Sequence, residues 1–337
     1  MLIFECAGSS RDHLCGRAAL SAITARPFRE HERNITNLEE TRVKDVTIRS
    51  EQYTSDRRWK ISLANRWTVK IRLLTFSVLV LALLWFPARG ALQEKKDRPD
   101  VRTPILLYHR FGPVVADSMT VTTSVFESHL KYVKDNGYVV IPLRQLVDYY
   151  LGKGAPPPSR SVVIVSDDGH KSVYTDMFPL IKKYRIPVTL FIYPSAISNA
   201  SYAMTWDQLK EMKKTGLIDF ESHTYWHPNF KKERRRLNAD EYEKFVKMQL
   251  RKSKEKLEKE FGGKVDMLAW PFGIYDDDLI QNAREAGYVA AFTIERRHTS
   301  TSDSLLTLPR YLMTDADRGK VFERIMAGAS PQRKPAY

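Results

Sequence analysis

The sequence predicts an α/β protein, a distorted, TIM-like (β/α) barrel of about seven strands forming a single domain. Three observations predict it. Short β-branched runs alternate with amphipathic helical stretches, the order that builds a parallel sheet. Val162–Val165 and Val188–Ile192 are continuously apolar, as strands covered on both faces must be. Residues 91–337 number 247, close to the ~250 typical of one such barrel.

Taken in order, strands are expected at Ile105–His109, Tyr138–Ile141, Val162–Ser166, Val188–Tyr193, Ile218–Ser222, Met267–Trp270 and Tyr288–Thr293, with an extended piece from Leu306 to Leu312. Helices are expected at Ser124–Asn136, Leu143–Leu151, Val173–Tyr184, Trp206–Lys214, Asp240–Phe261 and Asp277–Glu285. Thr205 and Asp276 have side chains that can cap helix N-termini, and Gly137, Gly216 and Gly287 fall where helices should stop. Tyr242, Val246, Leu250, Leu257 and Phe261 form an apolar stripe along the longest helix.

The first hundred residues read differently. Leu73–Phe86 is fourteen residues without a charge, preceded by Arg66, Lys70 and Arg72 and followed by Pro87-Ala88-Arg89-Gly90-Ala91. Fourteen is short for a membrane span, which needs about 20 apolar residues, and suits a signal-peptide core. We assign 67–90 as a signal peptide or signal anchor, with cleavage before Ala91 or membrane association through residues 71–86. Residues 1–66 form an N-terminal extension, either disordered or the product of a start placed upstream of the true one. Residues 91–102 are a linker, 103–328 the folded domain and 329–337 a tail. The expected location is exported: periplasmic, extracellular or anchored to the inner membrane.

Composition narrows the class. With 43% hydrophobic and 11% aromatic residues the chain can bury a real core, and its 2 cysteines, Cys6 and Cys15, exclude a disulfide scaffold. The net charge of +14 invites a nucleic-acid partner, but no helix-turn-helix, zinc-finger or RNP-like pattern accompanies it. The excess is also local. Lys231–Glu260 holds 12 basic against 7 acidic residues, a solvated outer helix face.

Reactive residues fall at predicted strand ends: His109 after ILLY, Asp167-Asp168 after VVIVS, His223 after IDFES, and Pro271-Phe272-Gly273 after MLAW. In a parallel barrel all those ends open on one rim. Asp167-Asp168-Gly169 reads either as a polar turn or as paired carboxylates that need a cation or a shared proton. His223 and His227 read either as one surface and one core histidine or as ligands facing one cation. With Asp168 they would supply two imidazoles and one carboxylate, leaving coordination positions open for water and substrate.

SVVIVSDDG, HTYWH and AWPFG resemble the first three motifs of the polysaccharide deacetylases (carbohydrate esterase family 4, NodB-homology domain), over roughly residues 103 to 325. ILLYHRFG and LPRY resemble the subgroup that de-N-acetylates exported poly-β-1,6-N-acetylglucosamine in biofilms. The resemblance implies Asp167 as general base and Asp168, His223 and His227 as metal ligands. It implies a divalent ion, Zn²⁺ first, with Co²⁺, Ni²⁺ or Fe²⁺ admissible. It also implies an N-acetylated polysaccharide as substrate and polysaccharide export machinery as a partner.

Two positions depart from the family pattern. The third motif normally begins with an arginine, and here Ala269 stands there; Arg310 is expected to supply that cation from another loop. The closing Leu-x-His is absent after Leu305, whereas Leu107-Tyr108-His109 has that form, so the permuted order of the biofilm subgroup implies His109 as the acid. First and last strands are neighbours in a closed sheet, which makes that permutation physically reasonable. Backbone N–H groups near Tyr225 are expected to hold the oxyanion. Tyr225, Trp226, Trp270, Pro271, Phe272, Gly273 and His170 are candidate substrate contacts. His129 is expected to be structural and His298 solvated. Peptidoglycan or another envelope glycan is the alternative substrate, and a non-catalytic carbohydrate-binding protein with a degenerate site is the alternative class.

Overall fold

The computed structural model describes residues 99–329, which belong to one compact unit. The assigned extension 1–66, the segment 67–90, most of the linker and nearly all of the tail lie outside the described residues. Among the described residues no helix is long and apolar enough to cross a membrane.

Among the described residues ten strands occur in chain order: β1 Ile105–Tyr108, β2 Arg110–Gly112, β3 Thr120–Thr122, β4 Val139–Val140, β5 Ser161–Asp167, β6 Val188–Ile192, β7 Ile218–Ser222, β8 Met267–Ala269, β9 Ala290–Phe292 and β10 Tyr311–Leu312. The main sheet runs β10-β1-β5-β6-β7-β8-β9, every neighbour parallel, with β4 paired to the first residues of β5. Leu308 bridges Phe292 of β9, and three residues later Tyr311 pairs with Leu106 of β1. The short segment from Leu308 to Leu312 therefore touches both ends of the sheet and closes it into a distorted barrel.

Alternation along the strands sorts the core. Ile105, Leu107, Val163, Val165, Phe191, Met267, Ala269 and Phe292 form one cluster inside the barrel. Leu106, Tyr108, Val162, Ile164, Leu190 and Ile192 belong to a second cluster beneath the helices. The helix Leu143–Tyr150 adds Leu143, Leu146 and Val147 to the interior cluster. Each such side chain contributes roughly 1.5–3 kcal/mol when fully buried. Arg144 of that helix bonds Glu221 of β7, at 2.9 Å, and Asp266, just before β8, which ties the helix to the start of β8.

Most expected helices form, and Thr205 and Asp276 cap theirs as expected. Trp206–Lys214 starts in a capping box between Thr205 and Gln208, and the chain leaves it at Gly216, whose φ is +71°. Ala239–Phe261 opens on an Asn238–Glu241 capping box and buries Tyr242, Val246, Leu250 and Leu257.

Five expectations change. Arg110–Gly112 and Thr120–Thr122 were not expected as strands, and they pair in parallel as a small second sheet. The Val173–Tyr184 stretch divides into a π-turn at Val173–Met177 and an α-helix at Phe178–Tyr184. Pro179 has no N–H to continue the ladder, and the Phe178 N–H reaches back to the Val173 carbonyl. Leu306–Leu312 is a 3₁₀ turn, Leu305–Thr307, followed by β10 rather than one extended piece. Helices at Phe230–Arg236 and Lys320–Met326 were not expected; the first is masked by its charge, with only Phe230 buried. His298 is not solvated. It is half-buried, its Nε2 donates to the Ile325 carbonyl at 2.8 Å, and its ring meets Tyr311 edge-on.

Candidate active site

The barrel carries its reactive groups where parallel strands end. Asp167 is the last residue of β5, His109 follows β1, His223 follows β7 and Trp270-Pro271-Phe272-Gly273 follows β8. Asp168 adopts φ +74° and Gly169 φ +73°. Aspartate tolerates this left-handed region better than most residues. The turn separates the two carboxylates: Asp167 stays in the sheet, and Asp168 swings toward the histidines.

His223 to His227 is a tight loop. Thr224 and His227 both have positive φ, at +63° and +61°. The Oε1 of Gln249, a fully buried residue of the long helix, accepts from the Tyr225 and Trp226 N–H groups at 3.2 and 3.0 Å. Of the backbone N–H groups near Tyr225 expected to hold an oxyanion, those of Tyr225 and Trp226 are thus engaged by Gln249.

Asp168, His223 and His227 each offer a ligand atom, and these atoms lie within 4.8 Å of one another. The Asp168 Oδ1 stands 3.5 Å from His223 Nε2 and 3.7 Å from His227 Nε2. His223 Nδ1 donates to the Ala269 carbonyl at 2.8 Å, which leaves the lone pair on Nε2 facing the carboxylate. Burial, reinforced by His223, lowers the His227 pKa to about 4, so its ring is neutral at pH 7. The Asp168 Oδ1 is buried without a hydrogen-bond partner. A buried carboxylate oxygen left unpaired between two imidazole nitrogens is costly in isolation and fits a divalent cation.

Asp167 is buried and pairs with Arg310 through two hydrogen bonds, Nη1 to Oδ1 at 2.8 Å and Nη2 to Oδ2 at 2.9 Å. Arg310 is itself wholly buried and fixed by its Nε on the Thr293 carbonyl at 3.0 Å. Burial alone would raise the Asp167 pKa. The Arg310 charge, with His223 and the paired hydrogen bonds, outweighs it and holds the carboxyl below its ordinary value. Arg310 is thus neither a surface arginine nor a distant one. His109 has a buried Nδ1 without a partner; burial lowers its pKa, against the pull of Asp168 and Asp167.

One cavity of about 390 Å³ gathers His109, Asp167, Asp168, His170, His223, His227, Trp270 and Phe272. Trp270 is fully buried and its indole N–H donates to the Leu306 carbonyl at 2.9 Å, so the ring braces the wall. Pro271 is buried in a 3₁₀ turn, and Gly273 lies against Ile294. Tyr225 and Trp226 are not among the lining residues; Lys252 lies over the Tyr225 ring, and Trp226 is 46% exposed beside Phe245. Sequence reasoning missed Arg110, Met119, Tyr193, Tyr202 and Ile294, which also line the cavity. Tyr193 directly follows β6, and the strand-end rule applied to Val188–Ile192 could have found it. Tyr202 lies in a loop with no such signal.

Residues 154–291 match the family model described as polysaccharide deacetylase. A poly-β-1,6-N-acetyl-D-glucosamine N-deacetylase of Staphylococcus aureus (strain MRSA252) is 32% identical over 200 residues, covering 58% of this chain and 68% of that protein. Among solved structures, a Streptococcus pyogenes deacetylase in complex with acetate superposes with a TM-score of 0.60 at 24% identity, covering 67% of this chain and 98% of the other. IcaB from Ammonifex degensii gives a TM-score of 0.58 at 24% identity, covering 68% and 97% respectively.

Proposed function

The chain belongs to the polysaccharide deacetylase family and is a hydrolytic N-deacetylase, and from that premise we propose that it removes acetyl groups from extracytoplasmic poly-β-1,6-N-acetylglucosamine. One observation carries the chemistry: the Asp168, His223 and His227 cluster shares its cavity with His109 and with Asp167, which Arg310 holds from behind the wall. The substrate assignment is supported by the similarity to the staphylococcal enzyme.

Asp168, His223 and His227 would hold a divalent cation, Zn²⁺ first among Zn²⁺, Co²⁺, Ni²⁺ and Fe²⁺. When bound, it supplies a Lewis acid that polarises the acetamide carbonyl and acidifies the attacking water. Asp167 takes the proton of that water. A carboxyl held below its ordinary pKa is ionised at neutral pH and ready to accept. Arg310 fixes the rotamer of Asp167 through both oxygens, the role that an arginine at position 269 would otherwise fill. Cleavage of the C–N bond then leaves acetate and a sugar amine that must gain a proton. His109, at the β1 end of the same cavity, would pass it on as the imidazolium, after its ring, whose Nδ1 has no protein partner, has gained a proton.

The layout follows the sequence: extension 1–66, export signal or anchor 67–90, linker 91–102, catalytic domain 103–328 and tail 329–337. Such a protein would act beyond the cytoplasmic membrane, alongside polysaccharide export machinery. The deciding experiment measures acetate release from poly-β-1,6-N-acetylglucosamine, chitin oligomers and peptidoglycan, with chelator and after metal restoration. Release from the β-1,6 polymer, lost with chelator, is the expected result. Preference for peptidoglycan would redirect the substrate assignment, and no release from any glycan would defeat the catalytic reading.

A further inference from the structure

Resting on the deacetylase reading, we propose that Tyr202 and His170 form a second sugar subsite, a platform for the unit of the polymer next to the one losing its acetyl group. The cavity of about 390 Å³ gives far more room than one acetamido group needs. Tyr202 lines it while leaving 41% of its surface exposed, so its ring is not core packing.

That ring is preset. Its hydroxyl bonds the Tyr193 hydroxyl at 2.7 Å, and the Tyr193 ring packs on His227 at 5.3 Å between centroids. The exposed aromatic is thereby fixed to the side chain that abuts a candidate metal ligand. His170 and Ala203 form a backbone bridge, and the His170 ring lies within 10° of parallel to Tyr202 at 6.3 Å. His170 is also held: its Nδ1 accepts from the Ser172 N–H at 3.1 Å, which leaves the proton on Nε2 as a donor.

A pyranose presents an apolar C–H face rimmed by hydroxyl and acetamido groups. A rigid aromatic face beside an imidazole N–H donor matches both features. Because both rings are ordered before the ligand arrives, little rotamer entropy is lost on binding. The platform therefore rewards a chain of sugars over an isolated acetyl group.

The test compares kcat/KM on a β-1,6-linked N-acetylglucosamine hexamer with that on 4-nitrophenyl acetate, which carries no sugar, using the Zn²⁺-loaded full chain. Tyr202→Ala should lower the hexamer-to-ester ratio about tenfold, chiefly through KM. Tyr193→Phe keeps both rings but deletes the hydroxyl bridge, and should lower the ratio about threefold. Equal losses on both substrates, or no loss in Tyr202→Ala, would overturn the subsite while leaving the deacetylase reading intact. Absence of acetate release from every glycan by the unsubstituted protein defeats that reading, and the subsite with it.

Discussion

Asp167 and Arg310 lie 143 residues apart and meet in direct hydrogen bonds. In a buried pair the guanidinium fork matters as much as the charge, since it satisfies both carboxylate oxygens at once. Arg310→Lys should therefore keep the charge, lose the bidentate geometry and lower kcat on the order of tenfold with the far-ultraviolet spectrum unchanged. Arg310→Met should in addition cost about 3–5 kcal/mol of stability, because it leaves a buried carboxylate uncompensated. Equal denaturation midpoints for the two variants would show that Asp167 does not depend on the arginine for its charged state. The adjacent Asp168 has no arginine; its unpartnered Oδ1 faces the two imidazoles. A single left-handed residue gives neighbouring carboxylates these separate surroundings.

At the scale of elements, the turn after β8 shows how tightly the wall is set. Gly273 has φ +64°, and a Cβ built there would sit 2.6 Å from Ile294 Cγ1. Gly273→Ala should destabilise the protein by about 1–3 kcal/mol and raise KM, since Phe272 and Ile294 both line the cavity. An unchanged melting temperature and KM would refute this. The helix Thr123–Asp135 supplies a second case. His129 accepts from the Tyr108 hydroxyl at 3.0 Å, donates to the Asp317 carbonyl at 2.6 Å and stacks on Phe322.

Burial of His129 lowers its pKa from 6.5 to about 4. Between those values the unfolded chain binds a proton that the folded one does not. Its contribution is fully present above pH 6.5 and is lost as pH falls toward 4, about 3 kcal/mol in all. Urea midpoints at pH 7 and pH 4.5 should differ more for the unsubstituted protein than for His129→Gln. Equal differences would mean that His129 is not the group responsible.

For the whole molecule, metal and fold are linked. A cation held by Asp168, His223 and His227 binds only where the barrel brings those strand ends together, so binding adds to folding stability. Zn²⁺ at a hundred times its Kd should contribute about 2.7 kcal/mol and raise Tm by roughly 5–10 °C for a domain of this size. Asp168→Asn should abolish most of that shift in a thermal scan. A Zn²⁺-independent Tm in the unsubstituted protein would contradict the cation site. Part of the basic excess is neutralised by neighbouring acids. Arg234 pairs with Asp276 and Asp278, and Lys256 and Lys210 both bond Glu260.

Much of this was legible in the chain. Period-two alternation and continuous apolar runs encode strand burial locally, so seven of the strands and the rim on which His109, Asp167, Asp168 and His223 stand could be read from sequence. Capping residues such as Thr205 and Asp276 mark helix starts because the bond they make is three residues long. Tertiary structure decided what depends on distant partners. The crossing of Leu308–Leu312 from β9 to β1 brings Arg310 to Asp167, the left-handed turn parts the two carboxylates, and Gln249 claims the Tyr225 N–H. The hydroxyl bond to Tyr193 likewise makes Tyr202 part of the cavity. Local pattern fixes which way a side chain faces from its own strand; only closure of the barrel determines what it meets there.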